Sequence, residues 1–365
     1  MRKNAPEGAF LSKICDNRLN YMNYRLYTTS VRAWDAMLEA IENAKKSIYL
    51  EMYIFLDDTA QSHDFIGKLA EKARSGVRVI VVADAFGSKP LKKETFQTLR
   101  SSGAEFIIFS HWLRHIHRKV LIVDESVAFL GGVNIGQRFA TWNDLQLELT
   151  GRITKSLLKS FAYTYAMAGG KDSKILKYRE KKFGYKLRFW IVEHWPIRSI
   201  YALKNHYVDK ITHAQKSITI VTPYFTPPRW LVSLLDDAVR RGIDVEILIP
   251  EQVDWKIMNA LNYRYMHDLH HLGVKFFLVE NMNHSKLLLI DGQEGLVGSQ
   301  NIDLLSFQLN TEIGLFFTDK KLIHELVGVI SEWKKHAQRF TPKKYKMHFF
   351  DYVIFTLVKI LRPIL

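Results

Sequence analysis

Apolar positions follow two periods along this chain, and the order in which the periods alternate occurs twice. "AWDAMLEAIENAKKS" (33–47) and "HYVDKITHAQKS" (206–217) space their apolar residues at three and four, as an amphipathic helix does. Each runs into a β-branched and aromatic segment, within "AKKSIYLEMYIF" (44–55) and "AQKSITIVTPYF" (214–225). A second helical pattern then ends at Gly76 or Gly242, placed as C-caps, and opens into the short buried strands "VRVIVVAD" and "IDVEILIP". A third helix ("KETFQTLRSSG", "YRYMHDLHHLG"), another strand and a strand-turn-strand unit complete each series. Alternating strands and helices of this kind predict an α/β sandwich with a mostly parallel or mixed sheet.

Landmarks fix the duplication. Ser47 and Ser217 lie 170 residues apart, Gly76 and Gly242 166, His117 and His284 167, and Asn134 and Asn301 167. Four pairs in one order at nearly constant offset predict a repeated unit of roughly 150 residues, a common domain size. The expected organisation is an N-terminal segment 1–24, a first domain 25–165, a basic aromatic connector 166–200, a second domain 201–340 and a tail 341–365.

Composition narrows the partners. The 365 residues are 47% hydrophobic and 13% aromatic, as a globular chain is, and carry a net charge of +15. Such a balance draws polyanions, either nucleic acid or an anionic membrane surface. A single cysteine, Cys15, excludes an internal disulfide and a Cys-based zinc site and favours a reducing compartment. The N-terminus lacks the uninterrupted apolar core of a signal peptide, and no segment reaches the roughly 20 apolar residues of a spanning helix. "FFDYVIFTLVKILRPIL" (349–365) comes nearest but is broken by Asp351, Lys359 and Arg362, and basic "TPKKYKMH" precedes it. This is the pattern of an amphipathic helix, lying in a membrane interface or docked on the protein body.

The chemistry concentrates in "IHRKVLIVDESVAFLGGVNIG" (116–136) and "NHSKLLLIDGQEGLVGSQNID" (283–303). Residues two apart in a strand share a face, so His117 points with Lys119 and His284 with Lys286. Imidazole beside a fixed ammonium suits a phosphate-bearing substrate, and Asn134 and Asn301 add neutral donors. Asp124 and Asp291 fall an odd number of steps from their histidines, at turn positions, so parity gives them a structural part and leaves any orienting carboxylate to come from elsewhere. The cluster His111, His115 and His117 invites a zinc reading, but repeat two has no equivalent and the carboxylate or cysteine spacing of a zinc site is missing. No G-x-S-x-G elbow supports a serine hydrolase.

As it stands, the pattern is His117-x-Lys119-x4-Asp124-x6-Gly131-Gly132-x-Asn134, and His284-x-Lys286-x4-Asp291-x6-Gly298-Ser299-x-Asn301. It resembles the paired HKD signature of the phospholipase D superfamily and, through "LEMYIF", "GGVNIG", "TPYFTP" and "VGSQNIDLLSFQLNTEIGL", bacterial cardiolipin synthases in particular. Gly132 departs from the strict pattern, which has serine there. The resemblance implies two phospholipase D-like repeats about a pseudo-twofold axis, with both hairpins at one site. It also implies phosphatidyl transfer through a phosphohistidine. One histidine attacks and the other serves as acid and base; by analogy His117 is assigned the attack and His284 the acid and base part, with the reverse order as the alternative. The same resemblance makes His117, Lys119, Asp124, His284, Lys286 and Asp291 the catalytic set. Asn134, Asn301 and Ser299 would bind phosphate, and Asp144 and Glu312 would orient the histidines. It calls for no metal and no cofactor. The implied substrate is phosphatidylglycerol with a second phospholipid. Many members of the family carry N-terminal spanning helices; the expectation here is instead a peripheral protein, held by its basic residues and tail on the cytoplasmic face of a bacterial inner membrane. Hydrolysis, phosphatidylserine synthesis, nucleic-acid cleavage and a non-catalytic membrane scaffold are the alternatives. The basic-aromatic connector and apolar tail favour lipid over nucleic acid, and intact paired motifs disfavour the scaffold.

Overall fold

The computed structural model describes residues 22–181 and 188–343. The N-terminal segment up to residue 21 and the tail from residue 344 lie outside the described residues.

The first repeat runs β1 (Asn23–Thr29), α1 (Ser30–Asn43), β2 (Ser47–Met52), α2 (Phe65–Arg74), β3 (Arg78–Asp84), α3 (Lys93–Ser101), β4 (Glu105–Phe109), β5 (Lys119–Val123), β6 (Val127–Gly131), β7 (Asn143–Thr150) and α4 (Ile153–Met167). After the short α5 (Ser173–Leu176), the second runs β8 (Phe189–Trp195), β9 (Ile200–Tyr201), α6 (Ala202–His213), β10 (Ser217–Val221), α7 (Arg229–Arg240), β11 (Asp244–Pro250), α8 (Lys256–His270) and β12 (Lys275–Val279). It closes with β13 (Leu287–Ile290), β14 (Glu294–Gly298), α9 (Leu304–Gln308), β15 (Glu312–Phe317), α10 (Lys320–Lys335) and β16 (Gln338–Arg339).

Both sheets are mixed, in the orders β1-β7-β6-β5-β2-β3-β4 and β16-β12-β11-β10-β13-β14-β15-β8-β9. In each, three strands run parallel (β2-β3-β4 and β10-β11-β12) and the hairpin strands pair antiparallel beside them. The central strands are buried on both faces, which is why "SIYLEM" and "RVIVVAD" read as nearly continuous apolar runs. On the outer face of the first sheet, α1 inserts Ala33, Trp34, Met37 and Ile41, the stripe its spacing predicts. Gly76 at φ +90° and Gly242 at φ +83° adopt the left-handed conformation expected of C-cap glycines.

The two repeats share one core. The inner faces of both sheets pack with α4 (Leu157, Leu158, Phe161) and α10 (Leu322, Leu326, Ile330) in a single cluster, alongside Tyr49, Ile122, Leu147, Leu248, Leu289 and Leu315. Phe189–Trp195, expected inside a connector, is instead β8, paired antiparallel with β15 from Phe189↔Phe317 to His194↔Glu312. Its half-buried register is masked in sequence by the lysines and arginines on its N-terminal side. Across the junction, His117 N–H donates to the Thr311 carbonyl (3.0 Å) and Thr311 N–H to the His115 carbonyl (2.8 Å). In the matching exchange, His284 N–H donates to the Asn143 carbonyl (2.7 Å) and Asn143 N–H to the Met282 carbonyl (3.0 Å). Each histidine is thus pinned to the opposite repeat by its backbone.

Candidate active site

Neither histidine lies inside a strand. His117 and His284 occupy the extended lead-ins to β5 and β13, because there the backbone pairs across the repeat junction and not within its own sheet. Both side chains are buried, at 6% and 4% exposure. His117 Nδ1 lies 2.9 and 3.1 Å from the two Glu312 oxygens, and His284 Nδ1 lies 2.9 Å from Asp144 Oδ2. The pairs are crossed: each histidine meets a carboxylate at the start of the strand after the other repeat's hairpin, Glu312 on β15 and Asp144 on β7. Pairing at Nδ1 leaves each Nε2 outside the carboxylate contact.

Lys119 Nζ donates to the His117 carbonyl (2.7 Å) and lies 4.9 Å over the Tyr53 ring, and Lys286 Nζ donates to the His284 carbonyl. Burial is the largest influence on all four groups. It pushes the His117 imidazole down to about 4, with Glu312 opposing and Lys119 adding to the shift. It pushes Lys119 down to about 7 and Lys286 to about 8, each held up in part by the carboxylates. His284 is lowered too, by burial and then by Lys286, Lys119 and His117. The field of each repeat's cations therefore reaches the other repeat's histidine, and the two hairpins form one site.

The carboxylates differ. For Glu312, burial opposes ionisation, but His117, Lys119 and the Ser299 hydroxyl together hold it below the usual range. Ser299 Oγ donates to it at 2.5 Å and Ser306 Oγ at 2.8 Å. Besides His284, Asp144 accepts its neighbour Leu145 N–H (2.7 Å) and no hydroxyl, among the described residues, and burial raises its carboxyl to about 7 against the pull of Lys286. Gly132 stands where Ser299 stands in repeat two, and a Cβ there would meet Asp144 Oδ1 at 2.2 Å. Close packing of Asp144 accounts for the glycine.

Asn134 and Asn301 are buried; the Asn134 carboxamide oxygen accepts Ile54 N–H (3.4 Å), and that of Asn301 has no hydrogen-bond partner among the described residues. Asp124 and Asp291 are elsewhere. They occupy the hairpin turns at φ 52° and 57°, where Asp124 accepts Lys45, Lys46 and Ser47 N–H (2.8, 2.7 and 2.9 Å). Asp291 accepts Gln215, Lys216 and Ser217 N–H in the same way (2.9, 2.7 and 2.9 Å). They clamp the start of β2 and β10, so their inclusion in the catalytic set is corrected: the geometry matches the parity argument. Asp291→Ala is expected to cost about 1–2 kcal/mol of stability and to leave turnover per folded molecule within about twofold. A melting curve beside a specific-activity assay checks this; lost activity with unchanged melting would give Asp291 a chemical role.

His115 Nδ1 contacts Asp84 (3.3 Å), and His111 Nδ1 accepts Leu113 and Arg114 N–H (3.2 Å each), so these neighbours of His117 have separate local partners. Among the described residues, no three His, Cys, Asp or Glu side chains converge as metal ligands.

Several site residues escaped the sequence. Tyr53 stacks edge-on at 4.5 Å from the His117 ring, Tyr224 lies 6.3 Å and Trp142 5.4 Å from the His284 ring. Tyr53 and Tyr224 lie in the corresponding segments "MYIF" and "TPYF" but one position apart, Tyr53 falling against Pro223 and Ile54 against Tyr224, so the repeat alignment does not pair them. Arg118, fully buried between His117 and Lys119, pairs with Glu51 (3.0 Å), donates to Ser160 and Thr164 (2.5 and 3.2 Å) and packs on Trp195 (4.9 Å). Nothing in "HRK" distinguishes such a buried cation from a surface one.

Two α/β repeats that trade carboxylates across a paired His-x-Lys site have the architecture of the phospholipase D superfamily. The profile of the family described as "Cardiolipin synthase, PLD-like domain" matches twice, at residues 37–163 and 207–333. The chain belongs to that family. The cardiolipin synthase of Listeria monocytogenes serotype 4a (strain HCC23) is 29% identical over 369 residues, covering 93% of this chain and 73% of that protein. The cardiolipin synthase of Geobacillus sp. (strain WCH70) is 32% identical over 341 residues, covering 84% and 66%. Among solved structures, phosphatidylserine synthase from Haemophilus influenzae Rd KW20 superposes with a TM-score of 0.70 at 17% identity, covering 97% of this chain and 98% of that one. Polyphosphate kinase from Porphyromonas gingivalis superposes at 0.60 with 14% identity, covering 100% and 57%. These two likenesses concern the fold.

Proposed function

We propose that the protein is a cardiolipin synthase-like phosphatidyltransferase that joins phosphatidylglycerol to a second phospholipid, a further phosphatidylglycerol, by double displacement. The observation that carries this reading is the crossed arrangement: two histidines, each backed by a carboxylate of the other repeat, beside two buried lysines.

His117 Nε2 attacks the phosphorus of phosphatidylglycerol. The bond to the glycerol headgroup breaks, and the His284 side delivers a proton to the departing alkoxide, leaving a phosphatidyl group on His117. The hydroxyl of the second phosphatidylglycerol then loses its proton to His284 and attacks, the P–N bond breaks, and cardiolipin leaves. Ionised Glu312 supports the cationic imidazole of the intermediate. Asp144, raised to about 7, gives the His284 pair a proton that moves near neutral pH. The lysines, with Asn134 and Asn301, offset the charge that grows on the phosphoryl oxygens. These residues hold and move every proton of the scheme without a metal or cofactor. The reaction calls for a location at a membrane surface; among the described residues no helix is long and apolar enough to cross one.

The pH dependence follows from the buried groups. A phosphodiester is anionic across the whole range, so kcat/KM should need neutral His117 and cationic lysines. It should fall on the acid side as His117 protonates near 4, and on the alkaline side as Lys119 and Lys286 lose their protons near 7 and 8. A kcat/KM profile still flat at pH 9 would contradict this.

The reading is tested by incubating the protein with phosphatidylglycerol vesicles, with and without chelator, and analysing the lipids by mass spectrometry. Cardiolipin and glycerol in equal amounts are expected in both. Phosphatidic acid alone would make the protein a hydrolase, product only when serine is supplied would make it a phosphatidylserine synthase, and cleavage of nucleic acid with untouched lipid would overturn the lipid reading.

A further inference from the structure

A lipid phosphate must reach histidines that are almost fully buried while its acyl chains stay in the bilayer. The mouth of the site then has to meet the membrane directly. The four most exposed apolar side chains, with Leu305, follow that requirement, while Val327 on α10 and Ile197, Ile200 and Tyr201 around β9 are exposed in other segments. Phe86 (56% exposed), Trp112 (83%), Trp255 (55%), Ile257 (55%) and Leu305 (39%) all stand in segments that touch the site.

Short contact paths establish this. The Phe86 ring lies 5.0 Å from that of His115, which packs 6.2 Å from Tyr53, itself against His117. Trp112 is in the loop between β4 and β5 that delivers His117. Trp255 and Ile257 adjoin Asp254, which accepts the Tyr224 hydroxyl (2.5 Å), and Tyr224 packs near His284. Leu305 precedes Ser306, the donor to Glu312. The loops after β3 and β11 correspond under the repeat, so Phe86 and Trp255 project from equivalent loops in the two halves. At the opposite end of the sheets, the turns around Asp124 and Asp291 carry no exposed large apolar residue.

Charge completes the pattern. Lys89, Lys92 and Lys93 surround the Phe86 loop, Arg138 is exposed beside Phe139, and Lys256 separates Trp255 from Ile257. Three carboxylates there accept hydrogen bonds, Asp57 from Thr95 (2.5 Å), Asp58 from Gln137 N–H (2.8 Å) and Asp254 from Tyr224, and Glu94 is exposed beside Lys93, so cations are the more numerous charge at this rim. Large apolar and aromatic side chains with cations beside them suit the headgroup layer of an anionic bilayer.

We propose that the end of the molecule bearing the site is a membrane-insertion face, on which Phe86, Trp112, Trp255, Ile257 and Leu305 enter an anionic bilayer and place the cleft over its headgroups. The inference rests on the phosphatidyl-transfer reading and adds an orientation to it, independent of the tail.

The test uses the full chain with Cys15→Ser and one labelled cysteine at a time: Trp112→Cys and Trp255→Cys at the rim, Ser126→Cys and Gln293→Cys at the far turns. On vesicles of equal phosphatidylglycerol and phosphatidylcholine, a polarity-sensitive dye should shift to the blue and be quenched by brominated acyl chains at 112 and 255 only. Protein that sediments with vesicles while rim dyes stay in water would overturn the proposal, as would failure to sediment. A second arm compares Phe86→Ser/Trp112→Ser/Trp255→Ser with the parent. Turnover on vesicles should drop at least about tenfold, with turnover of a monomeric short-chain phosphatidylglycerol unchanged; equal loss on both would assign these residues to the site and not the membrane. Insertion without turnover of any phospholipid by the parent would sink the transfer reading and leave this surface standing.

Discussion

His117→Ala should lose at least about 10⁴-fold in kcat/KM on phosphatidylglycerol. The loss follows from what Nε2 supplies. Without it no covalent intermediate forms, and a single displacement would need the second lipid aligned for direct attack, which the crossed site does not arrange. His284→Ala has a different signature. With glycerol leaving, the proton donor is missing and the loss is about 10²- to 10⁴-fold. With a p-nitrophenyl phosphodiester, whose leaving group departs unprotonated, His284→Ala should retain the first step while His117→Ala does not. Equal losses on both substrates for both variants would contradict the division of labour.

Glu312→Gln should cost about 10³- to 10⁴-fold in kcat, by analogy with removal of the orienting carboxylate of a catalytic triad. Its carboxylate has three engagements, to His117, Ser299 and Ser306, and is held ionised. A carboxamide cannot stabilise the imidazolium character of a phosphohistidine, and its NH₂ favours the wrong tautomer. Asp144→Asn should be milder by at least about tenfold, because burial already holds Asp144 half-protonated near pH 7. Ser299 against Gly132 contributes to the asymmetry, together with the Ser306 hydroxyl and the charges of His117 and Lys119 on the Glu312 side. Equal costs for the two variants would assign the carboxylates equivalent roles.

Much of this was legible in the sequence because duplication displays it twice. The repeat offset located both halves of the site, and the helix stripes and buried strand runs set the α/β class. Parity separated Asp124 and Asp291 from the chemistry, since a turn aspartate seven residues from a histidine cannot share its face on a regular strand. Asp144 and Glu312 were reachable only through family resemblance, because the contact that gives them meaning spans 140 and 195 residues. Arg118 is illegible for a related reason: its counter-ion Glu51 lies 67 residues away on β2, and its cover comes from α4 and, across the repeat junction, from β8. Phe189–Trp195 was misjudged because lysines and arginines before it outweighed a half-buried strand that needs β15 as its partner.

The most direct test of the covalent scheme is to look for the intermediate. His284→Ala, mixed with a phosphatidyl p-nitrophenyl ester, quenched in alkali to preserve the P–N bond and digested, should yield a peptide containing His117 that carries one phosphatidyl group. The adduct should be absent from His117→Ala. Turnover by the parent protein with no adduct on His117, or with the adduct on His284 of His117→Ala instead, would contradict the account.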